Sequence, residues 1–240
     1  MIKLISDKQA FFDKLNTFDD SHYKYNMEFL FNCYGANCDF CEFFDTEGAL
    51  ICIFEKTSVL ICGTPKNCEE TALFLSGANV INSENETALN LSPYLNGFKN
   101  IPAYFQKAKL ASDKSKDLID DCSLKKVYEI IVSGFGEMDF DLWYTDTSYK
   151  IRHSLSKYYV YKNASSVCVS FFGKDTVFLS QVSTLQSERH KGYASKMLHE
   201  VTSIYKDKNV YLIAEENRLP FYKSAGFETI GKAGRLKRSI

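Results

Sequence analysis

The 240-residue chain has no run approaching the ~20 consecutive apolar residues of a membrane span, only 4 Pro, a single Trp, and no surplus of either charge. Each shortage removes a class of protein. Without an apolar span the chain does not read as an integral helical membrane protein, and its opening residues 1–8, with Asp7 among them, do not form the apolar core of a secretory signal. A cytoplasmic protein is expected. Little proline, with hydrophobic residues at 45% and charged residues at 25%, excludes a disordered, collagen-like or low-complexity chain. Lys+Arg 29 against Asp+Glu 30 leaves a formal net charge of -1, so no global positive field attracts phosphate backbones or anionic membranes. Neither nucleic acid nor a membrane is an expected partner.

The length suits one large domain or two small ones, with enough chain to bury a core without disulfides or metal. Several of the 8 Cys lie inside apolar strand-like runs (Ile51-Cys52-Ile53, Ile61-Cys62, Val167-Cys168-Val169), where a free thiol behaves as a small hydrophobe, so they read as reduced. Cys33, Cys38 and Cys41 form C-x4-C-x2-C, close to a zinc-like spacing, but no fourth ligand stands at a matching distance. Cys41 with Asp39 and Phe43 reads instead as an alternating strand, and no metal site is expected.

Along the chain, residues 6–33 read as two helices and 38–45, 49–55 and 58–62 as a three-strand antiparallel meander with short links. A helix over 67–76, a buried strand over 78–81 and a helix over 84–91 follow, stopped by Pro93. The turn-rich 96–102 segment is the best boundary. Beyond it, 103–110 reads as a strand, 124–134 and 139–154 as helices, and 158–161, 166–172 and 176–185 as three antiparallel strands. A helix over 191–205, a strand over 210–215, a helix over 219–224 and one or more strands from 227 complete the chain. The order helix, meander, helix, strand, helix thus occurs twice, which suggests an internal duplication. The basic end, 234–238, reads as a solvated edge strand, with contact to a ligand phosphate as the alternative.

The segment that carries chemistry runs from Val177 to Gly231. A strand leads through Gln186 to Ser195, with Gly192 and Ala194 at the start of a helix marked by Met197, Leu198, Val201 and Ile204. A helix start of small residues after a strand gathers unpaired backbone N–H groups and the positive end of the helix dipole, which is an anion site. Alone this is a weak signal. Downstream, the strand 210–215 ends at Glu215-Glu216-Asn217 and is followed by Phe221-Tyr222-Lys223-Ser224-Ala225-Gly226-Phe227.

With Arg189-His190-Lys191-Gly192-Tyr193-Ala194 before it, this combination resembles the GCN5-related N-acetyltransferase family, whose pattern is a strand, Q/R-x-x-G-x-G/A, a strand with Asn, then F/Y-Y-x-x-x-G-F. The resemblance covers roughly 100–240 and is strong from about 176. It implies an α/β (α+β) fold with a mixed, mostly antiparallel sheet flanked by helices, in two tandem units: a degenerate one over 1–97 and an acetyl-CoA-binding one over 98–240. It also implies that Arg189, His190, Lys191, Gly192, Tyr193, Ala194 and Ser195 surround the pyrophosphate of acetyl-CoA, and that Val182, Ser183 and Thr184 offer backbone groups to the pantetheine arm. Asn217 would touch the pantetheine, and Tyr222 would lie near the thioester sulfur as a proton donor to the departing thiolate.

The sequence departs from the pattern in having Ala194 for the second Gly and Gln186 where a Pro is frequent. In the first half the equivalent junction, Cys62-Gly63-Thr64-Pro65-Lys66-Asn67-Cys68, lacks the Arg and the paired small residues, as expected of a lost site. The general base is left open among Glu215, Glu216, His153, Asp146 and Glu137 or a water chain. The aromatics Tyr23, Tyr25, Phe29, Trp143, Tyr144, Tyr149, Tyr158 and Tyr159 are candidates for lining an acceptor cleft. The expected function is direct transfer of acetyl to a primary amine, since no Cys lies in the motifs to carry the acyl group, with Cys168 nearby as the alternative carrier. The acceptor stays open among polyamines, amino acids, aminoglycoside-like compounds and protein amines. The rivals are a non-catalytic acyl-CoA sensor and a metal or redox protein built on Cys33, Cys38 and Cys41.

Overall fold

A computed structural model of the chain describes residues 1–36, 38, 40–109, 118–119 and 122–239. The chain divides into two compact units, Met1–Tyr104 with Lys232–Ile240, and Phe105–Gly231.

In the first unit a short strand β1 (Lys3–Leu4) precedes helices α1 (Lys8–Leu15) and α2 (His22–Tyr34). Asp7 and Ser21 start them, their side chains accepting from Ala10 N at 2.7 Å and Lys24 N at 3.2 Å. The meander follows as β2 (Cys41–Thr46), β3 (Ala49–Phe54) and β4 (Ser58–Gly63), with β1 pairing on the outer side of β2. Strand β2 alternates as the sequence demands, Cys41 and Phe43 buried and Glu42 exposed, while Asp39 lies outside the described residues. Helix α3 (Cys68–Phe74), strand β5 (Val80–Glu84) parallel to β4, helix α4 (Asn85–Leu91) and strand β6 (Phe98–Asn100) complete this stretch.

The second unit contains most of β7 (Ala103–Ala108), then β8 (Leu118–Ile119), helices α5 (Leu124–Phe135) and α6 (Phe140–Arg152), and the antiparallel strands β9 (Lys157–Tyr161), β10 (Ser165–Phe172) and β11 (Thr176–Thr184). Leu110, where the sequence reading ended β7, lies outside the described residues. Helix α7 (Tyr193–Ile204), strand β12 (Asn209–Glu215) parallel to β11, helix α8 (Leu219–Ser224) and strand β13 (Phe227–Arg238) end the chain. Period-two alternation in β9 sends Tyr159 and Tyr161 to one face and Tyr158 and Val160 to the other. On the first face they pack with Met197, Leu198 and Val201 of α7; on the second, with Val127, Ile130 and Ile131 of α5 and Trp143 of α6. The sheet of the second unit is therefore a layer between two pairs of helices, mixed and mostly antiparallel.

Strand β13 is one continuous strand whose residues 227–231 count with the second unit and 232–238 with the first. Its basic end is not a solvated edge: Ala233 to Lys237 pair with β5, Leu236 to Arg238 pair with β6, and Leu236 is fully buried. Arg235 Nε donates to Asn82 Oδ1 at 3.0 Å, and the Arg238 guanidinium lies 4.8 Å over the Phe98 ring. The charges are thus occupied by the first unit's own polar and aromatic groups, and residues 98–104 fall with that unit rather than beginning the second.

Burial of His22 at the start of α2 pushes its imidazole down to about 4 from 6.5. A lowered folded-state value means stability present above pH 6.5 and lost as pH falls toward 4, by up to roughly 3 kcal/mol. We expect chemical denaturation at pH 7 and pH 4.5 to show this loss in the wild type and a clearly smaller one in His22→Gln.

Candidate functional site

The parallel ladder between β11 and β12 covers only Thr176 to Phe178 against Asn209 to Tyr211, after which the two strands part. Beyond that point the edge of β11 that faces β12 carries backbone groups free for an added extended chain. Within this opening β11 bulges. Ser180 pairs with Cys168 and Ser183 with Ser166, so Gln181 and Val182 together oppose Val167. Gln181 sits at φ +50, a conformation disfavoured for a residue with a Cβ, and its side-chain oxygen accepts a short hydrogen bond from the Tyr158 hydroxyl.

The side chains of the three β11 residues expected at the pantetheine are committed elsewhere. Ser183 Oγ donates to Ile130 O of α5 at 2.6 Å, Thr184 Oγ1 meets Ser165 Oγ at 2.8 Å, and Val182 packs on the α7 side of the core. Their side chains are not left for a ligand, and the Thr184 carbonyl also accepts from Arg189 Nε at 3.4 Å, so a ligand would meet the remaining backbone groups, the role the family resemblance gives them. Ser183 can approach α5 because Gly134 stands opposite; a Cβ there would collide with Ser183 Oγ and Cβ. We expect Gly134→Ala to lower stability by about 1–3 kcal/mol in thermal or denaturant unfolding.

After a single 3-10 turn, Gln186–Glu188, the chain reaches α7. Gly192 caps that helix at φ +76, no side chain caps it, its first turn holds no acidic residue, and a Cβ at Gly192 would meet nothing within 4 Å. The N–H groups of the first turn thus have no capping side chain and no first-turn carboxylate to oppose an anion, with the helix dipole behind them. Ala194 and Ser195 are half-buried in that turn, and Tyr193 turns its ring onto Tyr161, 5.8 Å between centroids. His190, exposed and at φ +65, turns the chain into the cap.

The two flanking cations are held locally. Arg189 donates from Nη2 to Ser133 O at 2.6 Å, tying this loop to the end of α5, and Lys191 pairs with Glu188 at 2.9 Å, which raises its ammonium above the usual range. Asn217 is exposed in the 3-10 turn Glu216–Arg218. Tyr222 on α8 packs its ring against Phe221 and Phe227, with centroids 5.1 and 5.9 Å away. Burial pushes its phenol up to about 12 against the opposing influence of Arg218, and among the described residues its hydroxyl has no hydrogen-bond partner.

The first unit repeats the parting of strands but not the rest. β4 and β5 pair over three residues, Ser58 to Leu60 against Val80 to Asn82, and then separate. Here the outer ladder of β4 is unbroken, so there is no bulge, and Thr64 Oγ1 meets Thr87 Oγ1 at 2.8 Å across the mouth. Helix α3 is capped by Asn67, whose side chain accepts from Glu70 N at 3.0 Å, and carries Glu69 and Glu70 in its first turn. Those charges repel an anion where α7 would attract one.

Of the aromatics considered for a cleft, Tyr23, Trp143, Tyr158 and Tyr159 are buried in the cores. The thiols of Cys33 and Cys41 are buried, Cys41 Sγ lies 3.2 Å from Cys52 Sγ, and among the described residues no three His, Cys, Asp or Glu side chains gather as metal ligands.

No family model and no curated protein matches the chain. Solved structures do. An acetyltransferase of the GCN5-related family from Colwellia psychrerythraea aligns over 100% of both chains with TM-score 0.55 and 15% identity. A GCN5-related N-acetyltransferase from Kribbella flavida aligns over 90% of this chain and 93% of its own, with TM-score 0.60 and 10% identity. The GCN5-related glucosamine N-acetyltransferase region of a fungal multi-domain β-N-acetylglucosaminidase covers 98% of this chain, and 38% of that longer one, with TM-score 0.62 and 12% identity. The chain has an acyltransferase fold, and that fold is the one of the GCN5-related N-acetyltransferases.

Proposed function

We propose that the protein transfers the acetyl group of acetyl-CoA directly to a primary amine, with its one acetyl-CoA site in the second unit. The observation that carries this reading is the conjunction at the end of β11: strands that part, a bulge inside the parting, and an open helix start capped by Gly192. The pyrophosphate lies on the N–H groups of residues 193–195, and the pantetheine runs as an added strand along Val182, Ser183 and Thr184, reached by Asn217. Arg189 keeps the loop in place through Ser133, while Lys191 supplies charge at the rim beside His190.

Tyr222 holds its proton across the physiological range and donates a hydrogen bond to the leaving sulfur. Direct transfer is favoured over an acyl-enzyme because Cys168 is buried and burial pushes its thiol up to about 11, leaving almost no thiolate to attack. The first unit is a degenerate copy, its corresponding helix start closed to anions by Asn67, Glu69 and Glu70. Among the described residues no helix is long and apolar enough to cross a membrane.

The test is calorimetric titration with acetyl-CoA, followed by release of free CoA thiol with amino acids, polyamines, glucosamine and lysine peptides as acceptors. Binding with turnover supports the reading. Binding without turnover for any amine points to an acyl-CoA sensor, and no binding removes both.

A further inference from the structure

On the α5/α6 face of the second unit a cavity of about 390 Å³ opens between α6 and the first residues of α5 and β9. Its volume is in the range of sites that hold small molecules. The lining is uneven in a telling way. Leu124, Ile151, Tyr144 and Tyr158 give apolar and aromatic walls, while Ser148 and Arg152, one turn apart on α6, give the polar side together with Lys157 at the start of β9. Ser148 Oγ is buried with no hydrogen-bond partner among the described residues. Arg152, exposed, donates from Nε to the backbone Ser148 O at 3.2 Å and lines the same cavity as that hydroxyl, and its two terminal nitrogens have no partner among the described residues.

Unpaired donors next to an apolar wall are what an amphipathic acid satisfies: a carboxylate can take the Arg152 nitrogens and the Ser148 hydroxyl together while its body covers the rings. Among the described residues no acidic side chain lines the cavity and Lys157 lines it as a second cation, so a polycation would meet like charge there. One residue joins the cavity to the β11 bulge. Tyr158 forms its inner wall, and the same residue's hydroxyl donates to Gln181 on the β11 bulge.

Resting on the acetyl-transfer reading above, we propose that this cavity holds the non-reacting part of the acceptor. The acceptor is an amine with an apolar or aromatic body and a carboxylate, as in an apolar α-amino acid. Its carboxylate lies against Arg152 and Ser148, its body against Tyr144, Tyr158, Leu124 and Ile151, and its amine emerges past Tyr158 toward the bulge. Polyamines and aminoglycoside-like compounds are thereby disfavoured.

The probe is N-acetyl-L-phenylalanine, the product form of one such acceptor, against its carboxamide, with binding read by calorimetry and by the fluorescence of Trp143, the chain's single Trp, which packs 6.1 Å from the Tyr158 ring. The acid is expected to bind about tenfold tighter than the amide, with that advantage lost in Arg152→Met while acetyl-CoA affinity stays as in the wild type. L-phenylalanine should likewise outperform 2-phenylethylamine and spermidine in thiol release. Equal binding of acid and amide, no binding up to ~10 mM, or an acid preference that survives Arg152→Met would overturn the proposal while acetyl-CoA binding stands. A wild type that binds the acid but not acetyl-CoA would instead remove the transfer reading, and with it the acceptor role.

Discussion

Gly192→Asp is expected to fold as the wild type does and to lose acetyl-CoA affinity by about a hundredfold or more. Space is not the obstacle, since a Cβ at this position meets nothing within 4 Å. The backbone is at φ +76, which any L-residue adopts with a penalty of about 1 kcal/mol, and Asp tolerates it better than most. The effect on the ligand is electrostatic. A carboxylate about 5 Å from a phosphate charge at an effective dielectric near 20 opposes binding by ~3 kcal/mol, which is roughly two decades in affinity. The same carboxylate competes for the N–H groups of the first turn. Gly192→Ala separates the two causes, since it carries the backbone strain without the charge and should cost less than about tenfold in affinity. Calorimetry on all three proteins, with unfolding curves as the control, reads the result. Equal affinity in wild type and Gly192→Asp would move the cofactor off this helix start.

That helix start was legible in the sequence because its signal is local. Gly192 and Ala194 follow a strand and precede an amphipathic run, so short-range pattern marked the helix start, and Phe221, Tyr222, Gly226 and Phe227 beyond it carried the family resemblance. The helix itself begins two residues later than the apolar pattern indicates, because Gly192 in the left-handed conformation is its cap and not its first turn. The meanders and most helices were legible for the same reason. Strands β1, β6 and β8 were not, being two or three residues long and too short to show alternation.

The partners of β13 were out of reach for a different reason. Alternation and basic charge in 227–238 say strand, but nothing local says that residues 233–237 pair with residues 80–84, some 150 positions earlier. Arg189 shows the same limit at the scale of one side chain. Its place before Gly192 reads as a charge for the phosphate, whereas its guanidinium is spent on Ser133, and no local pattern marks Ser133 as its acceptor. Nor does anything in the sequence mark Gly134 as the residue that lets α5 approach Ser183, or Gln181 as the bulge that Tyr158 holds. Both depend on contacts between distant segments.

Tyr222→Phe should lower kcat by about a hundredfold, near the lower end of what a positioned proton donor contributes, with acetyl-CoA affinity unchanged. The size follows from the phenol's acidity. Burial pushes it up to about 12, whereas a thiol leaving group is near 8.5, so complete proton transfer to the sulfur runs uphill and Tyr222 acts mainly by hydrogen-bonding the developing thiolate. Its hydroxyl is available for this, having no partner among the described residues.

The pH dependence carries the same signature. The phenol stays protonated through pH 10, so Tyr222 produces no alkaline limb in the rate over the usual assay range. The raised folded-state value also means that its contribution to stability, full below pH 10, is lost as pH rises toward 12, and the Phe variant should lack that part of the alkaline loss. The ring keeps its packing on Phe221 and Phe227 in the variant, so a fall in kcat with intact stability at pH 7 separates hydroxyl from ring. An unchanged kcat would leave Tyr222 as core packing and place proton delivery to the thiolate with solvent, since Cys168 packs in the cluster on the α5/α6 face while Tyr222 packs on the α7 side.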